Sequence, residues 1–107
     1  MPTINELKTA VRIARTADNA ARTAVDRQQN LTGEAQGEAL TAASALAAAE
    51  SNPDADAAQL VALLTAKQDA DALVQILNDD LATAQARWAA SSAALQAAQQ
   101  ALADATG

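Results

Sequence analysis

Apolar and small residues recur along the chain in steps of three and four, in two long series separated by residues 51–54. The first series runs from Ile4 to Ala49 and the second from Leu60 to Ala105. Steps of three and four place residues on one face of an α-helix, and a repeat of seven keeps that face against a partner helix. The pattern therefore predicts two helical arms that share one seam.

Both series keep their phase from end to end. Each covers about 45 residues, which is roughly 68 Å of helix at about 1.5 Å per residue, so the expected molecule is a rod. The predicted seam consists of Ile4, Leu7, Val11, Ala14, Asp18, Ala21, Val25, Gln28, Thr32, Ala35, Ala39, Ala42, Leu46 and Ala49 in the first arm, and of Leu60, Leu63, Lys67, Ala70, Val74, Leu77, Leu81, Ala84, Trp88, Ser91, Leu95, Ala98, Leu102 and Ala105 in the second.

The stretch between the two series reads Ser-Asn-Pro-Asp. Proline lacks an N–H and disfavours helix in the preceding residue, so the first arm should end near Glu50. Asn52 is the predicted N-cap of the second arm, Pro53 its first helical residue, and Asp54 a favourable charge at its positive end. The stretch is therefore the predicted turn of a hairpin.

These features predict an all-α fold, a long antiparallel two-helix hairpin packed as a coiled coil with an alanine-rich seam. The whole of residues 1–107 forms one domain in this prediction. Its first arm covers about 3–50, its turn about 51–54 and its second arm about 53–105.

Two places in the arms resemble helix breaks. Gly33 and Gly37 each cost about 1 kcal/mol against alanine in a helix, so a soft spot or kink is expected near 31–37. The alternative architecture is a shorter four-helix bundle with breaks near 31–34 and 78–80. The unbroken phase of the seam across both places favours the hairpin.

Folding the chain at the turn pairs seam residues of the two arms, and small residues then face large ones. Ala21 falls opposite Trp88, which is predicted to be buried there. Asp18 falls opposite Ser91, whose hydroxyl can donate to the carboxylate. Such a polar layer costs stability but fixes the register.

Composition excludes several functions. Half of the residues are nominally hydrophobic, but with one Trp and no Phe or Tyr they cannot fill a thick core. Cys and His are absent, and the remaining carboxylates, serines and Lys67 do not converge on a nucleophile and base. We therefore expect no enzyme activity, cofactor, metal or small-molecule substrate.

The net charge of −6 is unevenly spread, because residues 1–31 carry five basic and three acidic side chains. The most regular charged feature, called here the basic row, is formed by Lys8, Arg12, Arg15 and Arg22. It predicts a solvated face or a docking site for an acidic partner, including the acidic part of another copy. Nucleic acid is not expected, since the chain is acidic and no aromatic residue accompanies the row.

A second apolar flank is predicted beside the seam. A two-helix protein with this much alanine has little interior, so an additional apolar flank indicates a partner helix or a second copy. The candidate partner-binding residues are Ala10, Ile13, Ala17, Ala20, Ala24, Leu31, Leu73 and Ile76.

These observations favour a non-enzymatic structural or assembly subunit that packs through helical faces into a virion, a secretion apparatus or a similar repetitive assembly. The alternative is a helical adaptor or chaperone-like module that grips one partner protein with the hairpin end, which is rich in Leu60, Val61, Leu63, Leu64, Leu73 and Ile76. No signal peptide or transmembrane segment is expected, and the expected location is the cytoplasm or an assembly.

Overall fold

A computed structural model describes residues 2–107 and contains two helices in that range. Helix α1 spans Ile4–Glu50 and helix α2 spans Ala57–Thr106. No strand occurs in the described residues. The all-α helical hairpin predicted from the heptad pattern is therefore confirmed.

The start of α1 is capped by Thr3. The Glu6 backbone N–H donates to Thr3 Oγ1 at 3.1 Å, and the Leu7 N–H donates to the Thr3 carbonyl at 3.0 Å. The first bond satisfies an amide that has no partner within the first turn of a helix, and the second is the first backbone bond of α1.

The start of α2 lies a few residues later than predicted. Asp56, not Asn52, is its N-cap, because Asp56 Oδ1 accepts a 2.7 Å bond from the Gln59 N–H. The Leu60 N–H makes the first backbone bond of the helix, to the Asp56 carbonyl at 3.1 Å. Asn52 instead holds the turn, where its Oδ1 accepts from the Asp54 N–H at 3.0 Å.

Neither helix breaks at the places that resemble breaks. Gly33 and Gly37 lie within α1, both are exposed, and an added Cβ would meet no atom within 4 Å at either. Residues 78–80 continue α2. The four-helix alternative is therefore wrong, because the constant phase of the seam outweighs the low helix propensity of these positions.

The hairpin divides into two compact units. Unit 1 comprises the residues up to Arg27 together with Ala82–Gly107, and unit 2 comprises Gln28–Leu81. Within both units the predicted seam positions are buried or half-buried, except Ile4 and Ala105. These two lie near the helix termini, where the packing ends.

In unit 1 the buried side chains are Val11 and Val25. Trp88 is half-buried, less than predicted, because an indole is too large for a seam of alanines. Asp18 binds Ser92 instead of the predicted Ser91, and the Ser92 hydroxyl donates to Asp18 Oδ1 at 2.7 Å. This bond is exposed, and so is Ser92, whereas Asp18 is half-buried.

In unit 2 a polar contact joins the two helices at a backbone carbonyl. Thr32 is only 4% exposed, and its hydroxyl donates to the Gln28 carbonyl at 2.8 Å and lies 3.4 Å from the Leu77 carbonyl oxygen. Gln28 Nε2 lies 3.4 Å from the same oxygen. Thr32 and Leu77 are both predicted seam residues, and the structure brings them together across the two helices.

Candidate partner-binding surfaces

The predicted partner-binding residues in unit 1 all lie exposed on α1. Ile13 is the largest of them and is 62% exposed. The others are alanines, which expose little apolar area but allow another helix to approach closely. The exposed set in this unit is Ala10, Ile13, Ala17, Ala20 and Ala24.

The predicted residues in unit 2 are large and aliphatic. Leu31, Leu73 and Ile76 are 45%, 44% and 57% exposed. Leu73 and Ile76 are three residues apart, so they share one side of α2. Exposure of all three leaves them available to a partner, and their role in binding stays a prediction.

The same side of α2 carries acidic residues at both ends of the apolar pair. Asp69 precedes Leu73 by four residues and Asp80 follows Ile76 by four, and both are exposed. In the part of the chain that the structure describes, neither carboxylate forms a hydrogen bond or an ion pair. This surface, called here the acid-flanked patch, consists of Asp69, Leu73, Ile76 and Asp80.

All four residues of the basic row are exposed in unit 1. Within residues 2–107 none of the side chains of Lys8, Arg12, Arg15 and Arg22 forms an ion pair or a hydrogen bond. Lys67 of unit 2, by contrast, binds Asp71 at 2.8 Å. The basic row is therefore available to an external acidic group.

Leu40 is a further exposed residue, 71% exposed, that the heptad pattern did not single out. It lines an open groove of about 500 Å³ in unit 2 with Ala43, Val74 and the Lys67–Asp71 pair. Its position outside the seam of an alanine-rich helix is the sequence feature that could have identified it.

A smaller groove of about 160 Å³ lies near the turn and is also within unit 2. Val61 and Leu64 line it and are 63% and 44% exposed, together with the buried Leu46. Leu60 and Leu63 are half-buried in the seam. The apolar cluster predicted at the hairpin end is thus divided between seam and surface.

Neither a metal site nor a membrane span is found in residues 2–107. No group of three or more acidic side chains there is placed to hold a metal ion. Neither α1 nor α2 has an apolar stretch of the length needed to cross a membrane.

No protein-family model, no curated protein and no solved structure matches this chain.

Proposed function

We propose that this chain is a non-enzymatic structural or assembly subunit that packs through its helical faces into a larger complex, such as a virion, a secretion apparatus or a similar repetitive assembly. The cytoplasm, or the assembly itself, is its proposed location. The proposed contacts are between proteins, with no cofactor, small-molecule substrate or nucleic acid.

The observation that carries the proposal is the distribution of large aliphatic side chains. In the described residues only Val11, Val25 and Leu46 among Leu, Ile and Val are buried. Those that are exposed number eight: Ile4, Ile13, Leu31, Leu40, Val61, Leu64, Leu73 and Ile76.

Helix α2 also leaves its large aliphatic side chains exposed or half-buried, because none of its described residues is fully buried. Each large aliphatic side chain is worth about 1.5 to 3 kcal/mol when it is fully removed from water. Packing against further helices would supply this burial, which the two-helix seam does not.

The test is sedimentation velocity over a range of protein concentrations, with the double substitution Ala17→Glu and Ile76→Glu. We expect the wild type to form concentration-dependent oligomers, and the variant to dissociate while its circular dichroism stays helical. A wild type that stays monomeric at high concentration would count against self-assembly. An unchanged oligomer in the helical variant would exclude these two positions from the interface.

The second candidate is an adaptor that grips one partner protein. The groove beside Val61 and Leu64 favours it, because both side chains are exposed next to the turn. Under this alternative Val61→Glu with Leu64→Glu would remove a co-purifying partner of fixed stoichiometry, whereas Ala17→Glu would not.

A further inference from the structure

The two units carry opposite net charge. Unit 1 contains six of the seven basic side chains against four acidic ones, a net charge of +2, and unit 2 contains one basic side chain against nine acidic ones, a net charge of −8. The basic row lies in unit 1 and the acid-flanked patch in unit 2. Every copy of the chain therefore presents both a basic and an acidic surface.

The acid-flanked patch combines two kinds of exposed group. Leu73 and Ile76 form an apolar centre, and Asp69 and Asp80 lie one helical turn beyond it on either side. A ligand for this surface must cover aliphatic carbon and offer cations at its edges. A purely apolar partner meets only the first requirement, and an acidic partner is repelled by the two carboxylates.

The basic row meets both requirements. Lys8, Arg12 and Arg15 follow one another at intervals of four and three residues, and Arg22 comes seven residues later, so all four share one side of α1. Their methylene stems can lie on apolar side chains while the charged groups reach carboxylates. Arginine suits this role because its planar guanidinium can bind both oxygens of a carboxylate.

We infer that the occupant of the acid-flanked patch is a second copy of this chain, which docks the basic row of its unit 1 on Leu73 and Ile76 and directs its cations to Asp69 and Asp80. This inference rests on the proposed assembly function and specifies the contact between subunits. The two surfaces differ, so the contact is heterologous. Each added copy leaves one basic row and one patch free, and growth can continue.

The test uses two charge-reversed variants of the full chain. The row variant carries Arg12→Glu and Arg15→Glu, and the patch variant carries Asp69→Lys and Asp80→Lys. All four sites are exposed, so both variants should keep the wild-type circular dichroism. The control is Ala89→Glu with Gln96→Glu, which adds two negative charges at exposed positions of unit 1 on α2, outside the row and outside the candidate partner-binding residues.

Sedimentation should show that each reversed variant alone associates about tenfold more weakly than the wild type, and that an equimolar mixture of the two regains wild-type association. Wild-type association should also weaken as ionic strength rises from about 0.01 M to 1 M, where the Debye length falls from roughly 30 to 3 Å. The control should associate like the wild type.

Loss of association in the control equal to that in the row variant would overturn the inference, because net charge alone would then explain it. Failure of the mixture to regain association would overturn it as well. Reversed variants that assemble like the wild type would refute this contact but leave the assembly function standing, whereas a monomeric wild type would overturn both.

Discussion

The Ser92 hydroxyl donates a 2.7 Å hydrogen bond to the Asp18 carboxylate and joins α2 to α1 across 74 residues of sequence. Asp18 occupies a seam position that is otherwise flanked by aliphatic and small residues. The bond gives the carboxylate a partner in one register of the two helices, and a one-residue shift would remove it.

We expect Ser92→Ala to lower the free energy of unfolding by about 0.5 to 1.5 kcal/mol, the net contribution of a typical intramolecular hydrogen bond. Ser91→Ala is the matched control, because it changes the neighbouring hydroxyl, which does not bind Asp18. Urea denaturation followed by circular dichroism measures both. A larger loss for the Ser91 variant would show that the bond to Ser92 does not form in solution.

The N-cap of α2 provides a second prediction. Asp56→Ala should cost about 0.5 to 2 kcal/mol, since it leaves the Gln59 amide without its 2.7 Å partner. Asp54→Ala should cost less, because the Asp54 backbone N–H, which bonds Asn52, is kept. Equal losses in thermal denaturation would indicate that α2 begins earlier than Ala57.

Trp88 is half-buried, so its truncation removes less buried area than a core tryptophan would. We expect Trp88→Ala to lower the free energy of unfolding by about 2 kcal/mol, below the 3 kcal/mol or more expected for full burial. The wild-type indole emission should lie between those of buried and exposed tryptophan. A fully exposed emission maximum with free acrylamide quenching would contradict the packing of Trp88 in the seam.

The two glycines of α1 offer a stabilising change. Neither has a positive φ, and a Cβ at either would meet no neighbouring atom within 4 Å. Gly33→Ala and Gly37→Ala should therefore each raise the free energy of unfolding by about 1 kcal/mol, because alanine restricts the unfolded chain and favours helix. A decrease in melting temperature for either variant would mean that α1 bends at that glycine in solution.

The heptad pattern predicts the fold closely because burial in a two-helix seam depends almost entirely on phase. Even Lys67, a charged residue in a seam position, is half-buried as its phase requires. The start of α2 was less predictable, because Asn52 and Asp56 are both good caps and the choice depends on how the turn closes. The contact of Thr32 with the Leu77 carbonyl could not be predicted from side-chain types, since its acceptor is backbone.

The candidate surfaces were predictable in part. Position in the heptad identifies Leu73 and Ile76 as lying outside the seam, and the structure shows them exposed. What covers them depends on a partner surface, which heptad phase does not specify. The sequence alone does not show that the carboxylates of Asp69 and Asp80 lack an ion pair; the folded structure does, for the described residues.

The absence of any fully buried residue among the described positions of α2 has a consequence for amide hydrogen exchange. Amides covered by a thick core exchange only when the whole molecule unfolds, whereas those of thinly covered helices exchange through local openings. The α2 amides of a single copy should therefore exchange faster than global unfolding alone would allow, although they lie in a 50-residue helix. Their slowing on assembly would map, residue by residue, the side of α2 that a neighbour covers.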